Sequence, residues 1–498
     1  MKGEKSMKKI ILGVILSVFV GTNAFAASVD TFGIGPRATA LGGAVSASSG
    51  DVYSIYYNPA ALSQLKGGQL SMAIQMADPN LEFSGYTVTG GKTLSGTTLP
   101  DMGPTSIKDA SDNLYVPFLG YAQPITSNLA FGVAAYVPFG LDVEWDKNPA
   151  VNPGAYNWFH SYYVRETVTP TLSYKVNDKF SVGVGVPLGK SKSGAEKILN
   201  YPVAPSQANA LFTGLDTYTP DNAATAYTRV YDYYLNTLSQ PEAVATAAAT
   251  QGAASYTGLA LTHAVNGSRL ELELEDSFNY SANLGFLYTP TDQVSLGLTY
   301  RGRAEADFSG DVTINGVKVT TADMSYDHPE QVQVGVMIKP VSNVSVEMDV
   351  VWTKWSINST QVTEFSSPLL GILPSETLER DWSDTNQIRL GVEWTVNDLL
   401  TLRSGYFYDP SPVPDDTFDI MWPDADRKTY SIGAGFNFGQ WTLDTSVQFA
   451  YAETKRIIGG ESDNINDPYN APGLTGYTVE TSAGGYLMGY GMSLTYNF

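Results

Sequence analysis

The chain has 498 residues and a formal net charge of −21, which argues against nucleic acid as a partner because nucleic-acid phosphates attract basic surfaces. Cysteine is absent, as fits an oxidising compartment in which no thiol is kept. Beyond the N-terminus no stretch approaches the length of apolar residues that a transmembrane helix needs. The 31 tyrosines suit surfaces where one end of the ring is apolar and the other is wet.

The N-terminus has the order of a secretory signal. Four lysines precede an apolar run over residues 10–20, and a small-x-small sequence follows at residues 24–26. The apolar run is too short to span a bilayer. We therefore predict a signal peptide over residues 1–26 and a mature protein that begins at Ala27.

The segment that follows is rich in Gly, Ala and Ser and cannot build a core of its own. Glycine suits tight turns and close backbone approach, and Asn before Pro favours a turn or a helix start. We predict that residues 27–66 form a hatch packed inside a larger structure; a flexible linker is the alternative. The residues that carry this prediction are Gly33, Gly35, Gly42, Gly43, Asn58, Pro59 and Ala60.

Beyond the hatch the dominant pattern is apolar and polar residues in alternation, which is typical of strands with one apolar and one polar face. Residues 344–353 and 388–396 are clear cases, and many such segments exceed the usual strand length of about five or six residues. The pattern predicts fourteen strands near residues 67–76, 113–125, 128–138, 161–176, 179–189, 269–289, 294–309, 329–340, 343–357, 385–396, 399–408, 428–438, 441–454 and 485–498.

Short and long links alternate between these strands, which indicates an all-β, antiparallel transmembrane barrel over residues 67–498. A secreted β-sandwich or propeller is the alternative. We expect the largest link, 190–268, to be an extracellular cap with short helices, one of them near residues 223–238. The predicted long links are 77–112, 139–160, 190–268, 310–328, 358–384, 409–427 and 455–484.

Four motifs resemble those of one family. They are the Gly/Ala-rich segment that ends in Asn-Pro-Ala at residues 58–60, the sequence RSGYFYDPSPVP at 403–414, PDADR at 423–427, and Pro-Glu at 329–330. With them the chain resembles the FadL/TodX transporters for long-chain fatty acids and hydrocarbons. The resemblance implies a fourteen-stranded barrel, with an N-terminal hatch in its lumen, in the outer membrane of a Gram-negative bacterium. It also implies passive uptake: extracellular loops capture the ligand, which passes the hatch and leaves sideways through a kinked third strand.

The lateral opening is expected along the third strand. Pro138 cannot donate to a ladder, and the small residues before it permit a bend; alternatively, Pro138 only ends the strand. The residues assigned to the opening are Gly132, Ala134, Ala135, Pro138, Phe139 and Gly140.

A fatty acid needs a cation near its carboxylate, and the lumen-side candidates are Arg301, Arg303 and Arg389. An aromatic or alkane hydrocarbon needs none, and a general diffusion porin is a further alternative. Because no Gly-x-Ser-x-Gly motif surrounds a serine, we expect no enzyme activity. We expect a monomer in contact with outer-membrane lipid and a hydrophobic ligand, with no metal or cofactor. A structural polar cluster is predicted at the extracellular rim from Asp409, Ser411, Asp424, Asp426 and Arg427.

Overall fold

A computed structural model describes residues 33–498, apart from residues 49, 94–95, 372, 422, 453–454 and 471. The predicted signal peptide, 1–26, and the first residues of the predicted hatch, 27–32, lie outside the described residues. Within the described residues, no helix is both long enough and apolar enough to cross a membrane.

The wall is a closed antiparallel barrel of fourteen strands, as predicted. Closure follows from the first strand, which pairs with both the second and the last. The wall contains 22 segments because eight of its strands are interrupted. The segments in chain order, including the separate ribbon β2–β23, are β1 (Gln69–Thr89), β2 (Lys92–Thr93), β3 (Met102–Lys108), β4 (Leu114–Pro124), β5 (Leu129–Glu144), β6 (His160–Asn177), β7 (Phe180–Gly185), β8 (Leu188–Ile198), β9 (Arg269–Tyr280), β10 (Asn283–Thr291), β11 (Val294–Arg301), β12 (Asp307–Ile314), β13 (Val317–Ser325), β14 (Gln331–Val341), β15 (Val344–Thr353), β16 (Thr360–Leu369), β17 (Leu373–Glu379), β18 (Thr385–Thr395), β19 (Leu400–Asp409), β20 (Arg427–Asn437), β21 (Trp441–Ala452), β22 (Arg456–Gly459), β23 (Leu474–Thr475) and β24 (Thr478–Asn497).

The helices are short except in the extracellular cap, residues 199–268. They are α1 (Pro36–Ala40), α2 (Ser54–Tyr57), α3 (Pro205–Ala208), α4 (Pro220–Asp232), α5 (Glu242–Ala264) and α6 (Asp463–Asn466). A π-helical turn, Tyr233–Thr237, follows α4, and the 3-10 turns are Pro59–Gln64, Pro153–Tyr156, Ala210–Phe212, Trp355–Ile357, Asp415–Thr417 and Asp467–Tyr469. The helix expected near residues 223–238 is present as α4. It packs on α5 through Val230, Tyr256 and Leu259, which gives the cap a small core of its own.

The two faces of the wall have the polarity of a membrane barrel. Along β20 the side chains of Tyr430 and Ile432 are 50% and 62% exposed, whereas Thr429 and Ser431 are buried. The same alternation runs along β15, where Met348 is exposed outward and buried carboxylates face inward. Apolar residues outside and polar residues inside suit a wall that faces lipid and encloses a polar lumen.

Several predicted loops are strands. Residues 310–328 and 358–384 form the hairpins β12–β13 and β16–β17, and β8 extends the wall to Ile198, into the predicted loop 190–268. These extensions lie on the extracellular side of the apolar outer band, the belt of exposed apolar side chains around the barrel. Their outer faces carry polar residues such as Asp311 and Lys318, so the apolar alternation that marks lipid-facing strands is lost there.

Candidate functional site: the lumen, the third strand and the extracellular pocket

Residues 33–65, here called the hatch segment after the role predicted for them, contact inward-facing groups of several wall strands. Asn58 on this segment donates from Nδ2 to the carbonyl of Ser46 at 2.6 Å and to that of Phe286 in β10 at 3.1 Å. Its Oδ1 accepts from the backbone N–H of Ala60, which begins the turn after Pro59. Asn58 is fully buried, so these bonds fix the middle of the segment against the sixth barrel strand.

Glycines of the wall let the hatch segment approach the sheet closely. A Cβ atom at Gly285 would overlap the side chain of Asn58, and one at Gly405 would overlap the backbone of Gly42. These two wall glycines lie in β10 and β19, on different sides of the closed sheet. The segment therefore spans the barrel, and the wall lacks side chains where it does so.

Other glycines of the hatch segment lie in turns. Gly33, Gly35, Gly42 and Gly43 all have positive φ angles, which favour glycine. The hatch role assigned to these residues stays a prediction.

Ion pairs hold the N-terminal part of the hatch segment. Arg37 in α1 pairs with Glu393 in β18 at 3.0 Å and with Asp51 at 3.3 Å. Glu393 also pairs with Arg403 at 2.7 Å, and Arg403 reaches Asp444 at 2.6 Å. This series of alternating charges ties the segment to three wall strands, β18, β19 and β21, and each charge is compensated by a partner.

Two inward-facing arginines, the partly buried Arg301 and the buried Arg165, are held by side chains of the wall. Arg301 donates from Nε to Gln331 at 3.0 Å, and its guanidinium lies 4.8 Å from the ring centre of Tyr56. Arg165 donates from Nε to Asn279 at 2.8 Å. Both arginines act electrostatically on the hydroxyl of Tyr136, whose ring packs 5.5 Å from that of Tyr56.

Each of these arginines keeps one buried nitrogen without a hydrogen-bond partner among the described residues: Nη2 of Arg165 and Nη1 of Arg301. Arg165 is 3% exposed. A buried donor without an acceptor is costly, so each of these nitrogens suits an acidic ligand group that can accept from it.

The other candidate arginines have different partners. Arg303 is half-exposed and pairs with Asp327 and, at 3.8 Å, with Glu305. Arg389 donates to Gln387 and lies against Gly43 of the hatch segment.

Arg165 is not among the site residues predicted from the sequence. The sequence does place Arg165 on the inward face of β6, because it alternates in step with the small polar residues Thr167, Thr169 and Thr171.

The third barrel strand, β5, does not end at Pro138 but continues to Glu144. The alternative in which Pro138 ends the strand is therefore wrong. The register against β6 shifts between Tyr136 and Phe139, so Val137 and Pro138 together face Glu166, which makes a β-bulge. From Ala134 to Leu141 every residue is buried, on both faces of the strand, and this stretch includes Ala135, Phe139 and Gly140.

The bulge adjoins a gap in the ladder between β4 and β5. β5 pairs with β4 only from Ala130 to Ala135, whose partner is Leu119. Residues 114–118 of β4 have no ladder partner in residues 136–143 of β5, all of which the structure describes. Contact between the strands resumes above the gap, where Ala110 donates to the carbonyl of Glu144 at 2.7 Å. Gly132, below the gap, packs against Ile55 of the hatch segment.

An imidazole clamps the extracellular end of β5, beyond the apolar outer band. His160 in β6 binds Asp142 of β5 at 2.8 Å and Glu196 of β8 at 3.2 Å. Burial lowers the pKa of His160, but its hydrogen bonds to the two carboxylates outweigh burial and raise that pKa to about 10. The clamp is therefore cationic at neutral pH and joins the third, fourth and fifth strands above the gap.

A small pocket lies in the extracellular half of the barrel. Its lining is mostly apolar and aromatic, and a lining of this character suits a hydrophobic group. Lys197 stands beside it, paired with Glu376 at 2.6 Å and 4.3 Å from the ring centre of Trp158. Residues that line the pocket include Trp158, Tyr163, Leu272, Leu274, Tyr326 and Met421.

The rim residues predicted to cluster do lie together. Arg427 pairs with Asp409 at 2.5 Å and approaches Asp424 at 3.7 Å. Asp426 accepts from the backbone N–H of Ser411 at 2.9 Å. The structural role assigned to this cluster stays a prediction.

Comparison with known proteins gives a consistent assignment. Residues 14–498 match the family model described as outer membrane protein transport protein (OMPP1/FadL/TodX). The chain is 23% identical to outer membrane protein P1 of Haemophilus influenzae, over 99% of this chain and all of that protein. It is 22% identical to the long-chain fatty acid transport protein of Escherichia coli O6:H1, over 91% of this chain and 90% of that protein.

A crystal structure of a Pseudomonas aeruginosa FadL homologue has the same fold. Its TM-score is 0.69 at 18% identity, over 96% of this chain and all of that one. The family consists of transporters rather than enzymes. The chain belongs to the OMPP1/FadL/TodX family of outer-membrane transporters for hydrophobic compounds in Gram-negative bacteria.

Proposed function

We propose that the protein takes up long-chain fatty acids and related amphiphilic carboxylates by passive diffusion. The ligand enters the apolar extracellular pocket, presents its head group to Arg165 and Arg301 above the hatch segment, and leaves sideways at the gap beside the third strand.

One observation carries the choice of a carboxylate. Arg165 and Arg301 each keep a buried guanidinium nitrogen without a hydrogen-bond partner among the described residues, and the charges of both act on the hydroxyl of Tyr136. A carboxylate has two oxygens and can accept from both, and such charge-assisted bonds are the strong ones. A neutral hydrocarbon offers these nitrogens no acceptor.

Solubility supports the sideways exit. Moving an alkyl chain into water costs about 0.8 kcal/mol per CH₂, so a sixteen-carbon chain loses on the order of 10 kcal/mol in an aqueous pore. A path from an apolar pocket into lipid avoids this loss. The bulge at Val137 and Pro138 and the missing ladder beside it support an exit at this point of the wall.

We propose that the hatch segment closes the direct route to the periplasm. Asn58→Ala removes the hydrogen bonds to Ser46, Phe286 and Ala60 and should reduce uptake. The barrel should still fold, as shown by a normal change in its electrophoretic mobility on heating. Unchanged uptake would remove Asn58 from the mechanism. Single-channel conductance near zero for the unaltered protein fits a closed lumen; a large steady conductance would favour a general diffusion porin.

The choice of ligand is tested with Arg165→Met and Arg301→Met. We expect each variant to bind a long-chain carboxylate about tenfold to a hundredfold more weakly, the cost of a charged hydrogen bond. Binding of the fatty alcohol with the same chain should not change. Arg229→Met is the matched control, because Arg229 bonds only to backbone carbonyls of the cap in the described structure.

Two outcomes would contradict the carboxylate proposal. Equal losses for acid and alcohol would show that the arginines only support the fold. Tighter binding of toluene or an alkane than of any carboxylate would favour the hydrocarbon alternative, which the apolar lining of the pocket also suits.

A further inference from the structure

His328 occupies an unusual place in the barrel. It lies in the break between β13 and β14, in the eighth barrel strand, and its backbone N–H bonds to Ala304 at 2.9 Å. The side chain is 1% exposed. Nothing in the proposed carboxylate site or the lateral gap uses it.

The imidazole contacts three strands that are not its neighbours. It stacks on Phe139 of β5 at 5.0 Å between ring centres, with 28° between the planes. The hydroxyl of Tyr163 in β6 lies 2.9 Å from Nδ1 and 2.8 Å from Nε2 of the ring, and Nε2 also lies 3.1 Å from the hydroxyl of Ser191 in β8.

These contacts cross the lumen. The fifth and eighth barrel strands are three places apart in the sheet, which is about 14 Å along the wall at the usual strand spacing. The third strand lies farther still. Side chains that touch across such a distance must meet inside the barrel, so Phe139, His328 and Tyr163 form a bridge through it.

The bridge separates the two parts of the proposed ligand path. On one side Tyr163 lines the extracellular pocket. On the other side Phe139 directly follows the bulge and faces Arg165 across the β5–β6 ladder. A molecule that moves from the pocket to Arg165 and the gap meets the three rings.

We propose that Phe139, His328 and Tyr163 form a gate that selects ligands by cross-section. This inference rests on the proposed function. A slim, flexible alkyl chain can pass when the Phe139 ring tilts away from His328. A bulky rigid group must displace the imidazole as well, against its two hydrogen bonds and its close packing.

The test compares two ligands with the same head group: a saturated long-chain carboxylate, and one that ends in a pyrene ring. Initial uptake is measured in a host strain that lacks its own homologue. We expect His328→Ala to raise the pyrene-to-alkyl uptake ratio about tenfold, because it removes the ring that bulky ligands must displace. Phe139→Leu should raise the ratio less. His263→Ala, in the cap, is the matched control and should leave the ratio unchanged.

Folding is followed by the gel shift on heating, and variants are compared only where that shift is normal. If His328→Ala fails to fold, Phe139→Leu carries the test alone. A ratio within about twofold of the unaltered protein in a folded variant would overturn the gate, since a purely structural histidine changes both uptake rates alike. If the unaltered protein takes up neither carboxylate, the proposed function fails and the gate with it.

Discussion

The third and twelfth barrel strands belong to one sheet and differ in how their backbone groups are satisfied. β20, the twelfth, pairs with β19 and β21 over its whole length, from Arg427 to Asn437. β5, the third, pairs continuously with β6 apart from its bulge, but with β4 only up to Ala135. The faces differ too: β20 alternates between exposed and buried residues, whereas both faces of β5 are buried from Ala134 to Leu141.

The difference shows how a barrel strand can leave the ladder on one side without exposing its backbone to lipid. Unpaired backbone groups are not tolerated in lipid, so a strand that leaves the ladder must be covered by protein. The residues of β5 beyond the gap do this by entering the core of the extracellular half, where Phe139, Leu141 and Val143 are buried. A strand like β20, paired on both sides, offers no such passage.

The largest effect on stability is expected from a charge on the regular strand. Ile432 is 62% exposed on the outer face of β20. Ile432→Arg should lower the free energy of unfolding in bilayers by about 2–4 kcal/mol, because the cation faces hydrocarbon. Chemical unfolding in vesicles measures it, with Ile432→Leu as the control. A loss below about 1 kcal/mol would mean that this face does not contact lipid.

The upper end of the regular strand is expected to depend on Arg427. Its carboxylate partners Asp409 and Asp424 are largely buried, so Arg427→Met leaves two uncompensated charges. We expect a loss of about 2 kcal/mol and a lower folding yield. Normal folding together with a collapse of ligand affinity would show instead that the cluster belongs to the ligand path.

The upper end of the third strand is expected to depend on His160. His160→Gln removes the cation between Asp142 and Glu196 and should lower stability by about 1–2 kcal/mol at neutral pH.

The pH dependence has a defined sign. Because the pKa of His160 is raised in the folded protein, its contribution is fully present below the unfolded pKa of about 6.5 and is lost as pH rises through about 10. Chemical unfolding of the unaltered protein and of His160→Gln, at several pH values between about 6.5 and about 10, measures this contribution to the free energy of unfolding. An equal pH slope for the two would contradict a charged clamp.

The smallest change in stability, with a large change in uptake, is expected at Pro138. Pro138→Val restores a backbone N–H, which lets β5 return toward the ladder at the bulge. We expect uptake to fall about fivefold while the free energy of unfolding changes by less than about 1 kcal/mol. Pro170→Val, in the same ladder opposite Val133, is the matched control. Equal uptake in the two variants would exclude Pro138 from the opening.

The regular part of the molecule follows from local sequence, and the irregular part does not. Apolar and polar residues alternate along segments such as 344–353. This predicts a strand and also its lipid-facing side, because a barrel strand faces lipid on one side and the lumen on the other. Residues 310–328 and 358–384 are predicted as loops but form hairpins. Outside the lipid the outer face of a strand need not be apolar, so the alternation that would reveal these strands is absent. Asn58 and its glycine-rich surroundings indicate a packed hatch, but its partner Gly285 becomes apparent only in the closed sheet.

The candidate site was predictable only in part. Arg301 is predicted because it falls on the polar, lumen-side face of its strand. Pro138 is predicted because it has no backbone N–H to donate to the ladder. Arg165 and His328 gain their meaning from neighbours more than 100 residues away in the chain, such as Tyr163 beside His328. Barrel closure creates these contacts, and no local pattern carries them.

The central claim, exit beside the third strand, is tested most directly by a crosslink. Beyond Leu119 and Ala135 the register would set Pro117 opposite Val137, and the chain has no cysteine of its own. The variant Pro117→Cys/Val137→Cys, oxidised to a disulfide that mass spectrometry verifies, closes the gap. Its matched control is Ile432→Cys/Val447→Cys, which joins a pair already opposite in the regular wall.

We expect the oxidised crosslink at the third strand to abolish fatty-acid uptake and reduction to restore it, while the control pair transports normally in both states. Full transport through the oxidised, verified crosslink between residues 117 and 137 would contradict the account, because the ligand would then leave the barrel elsewhere.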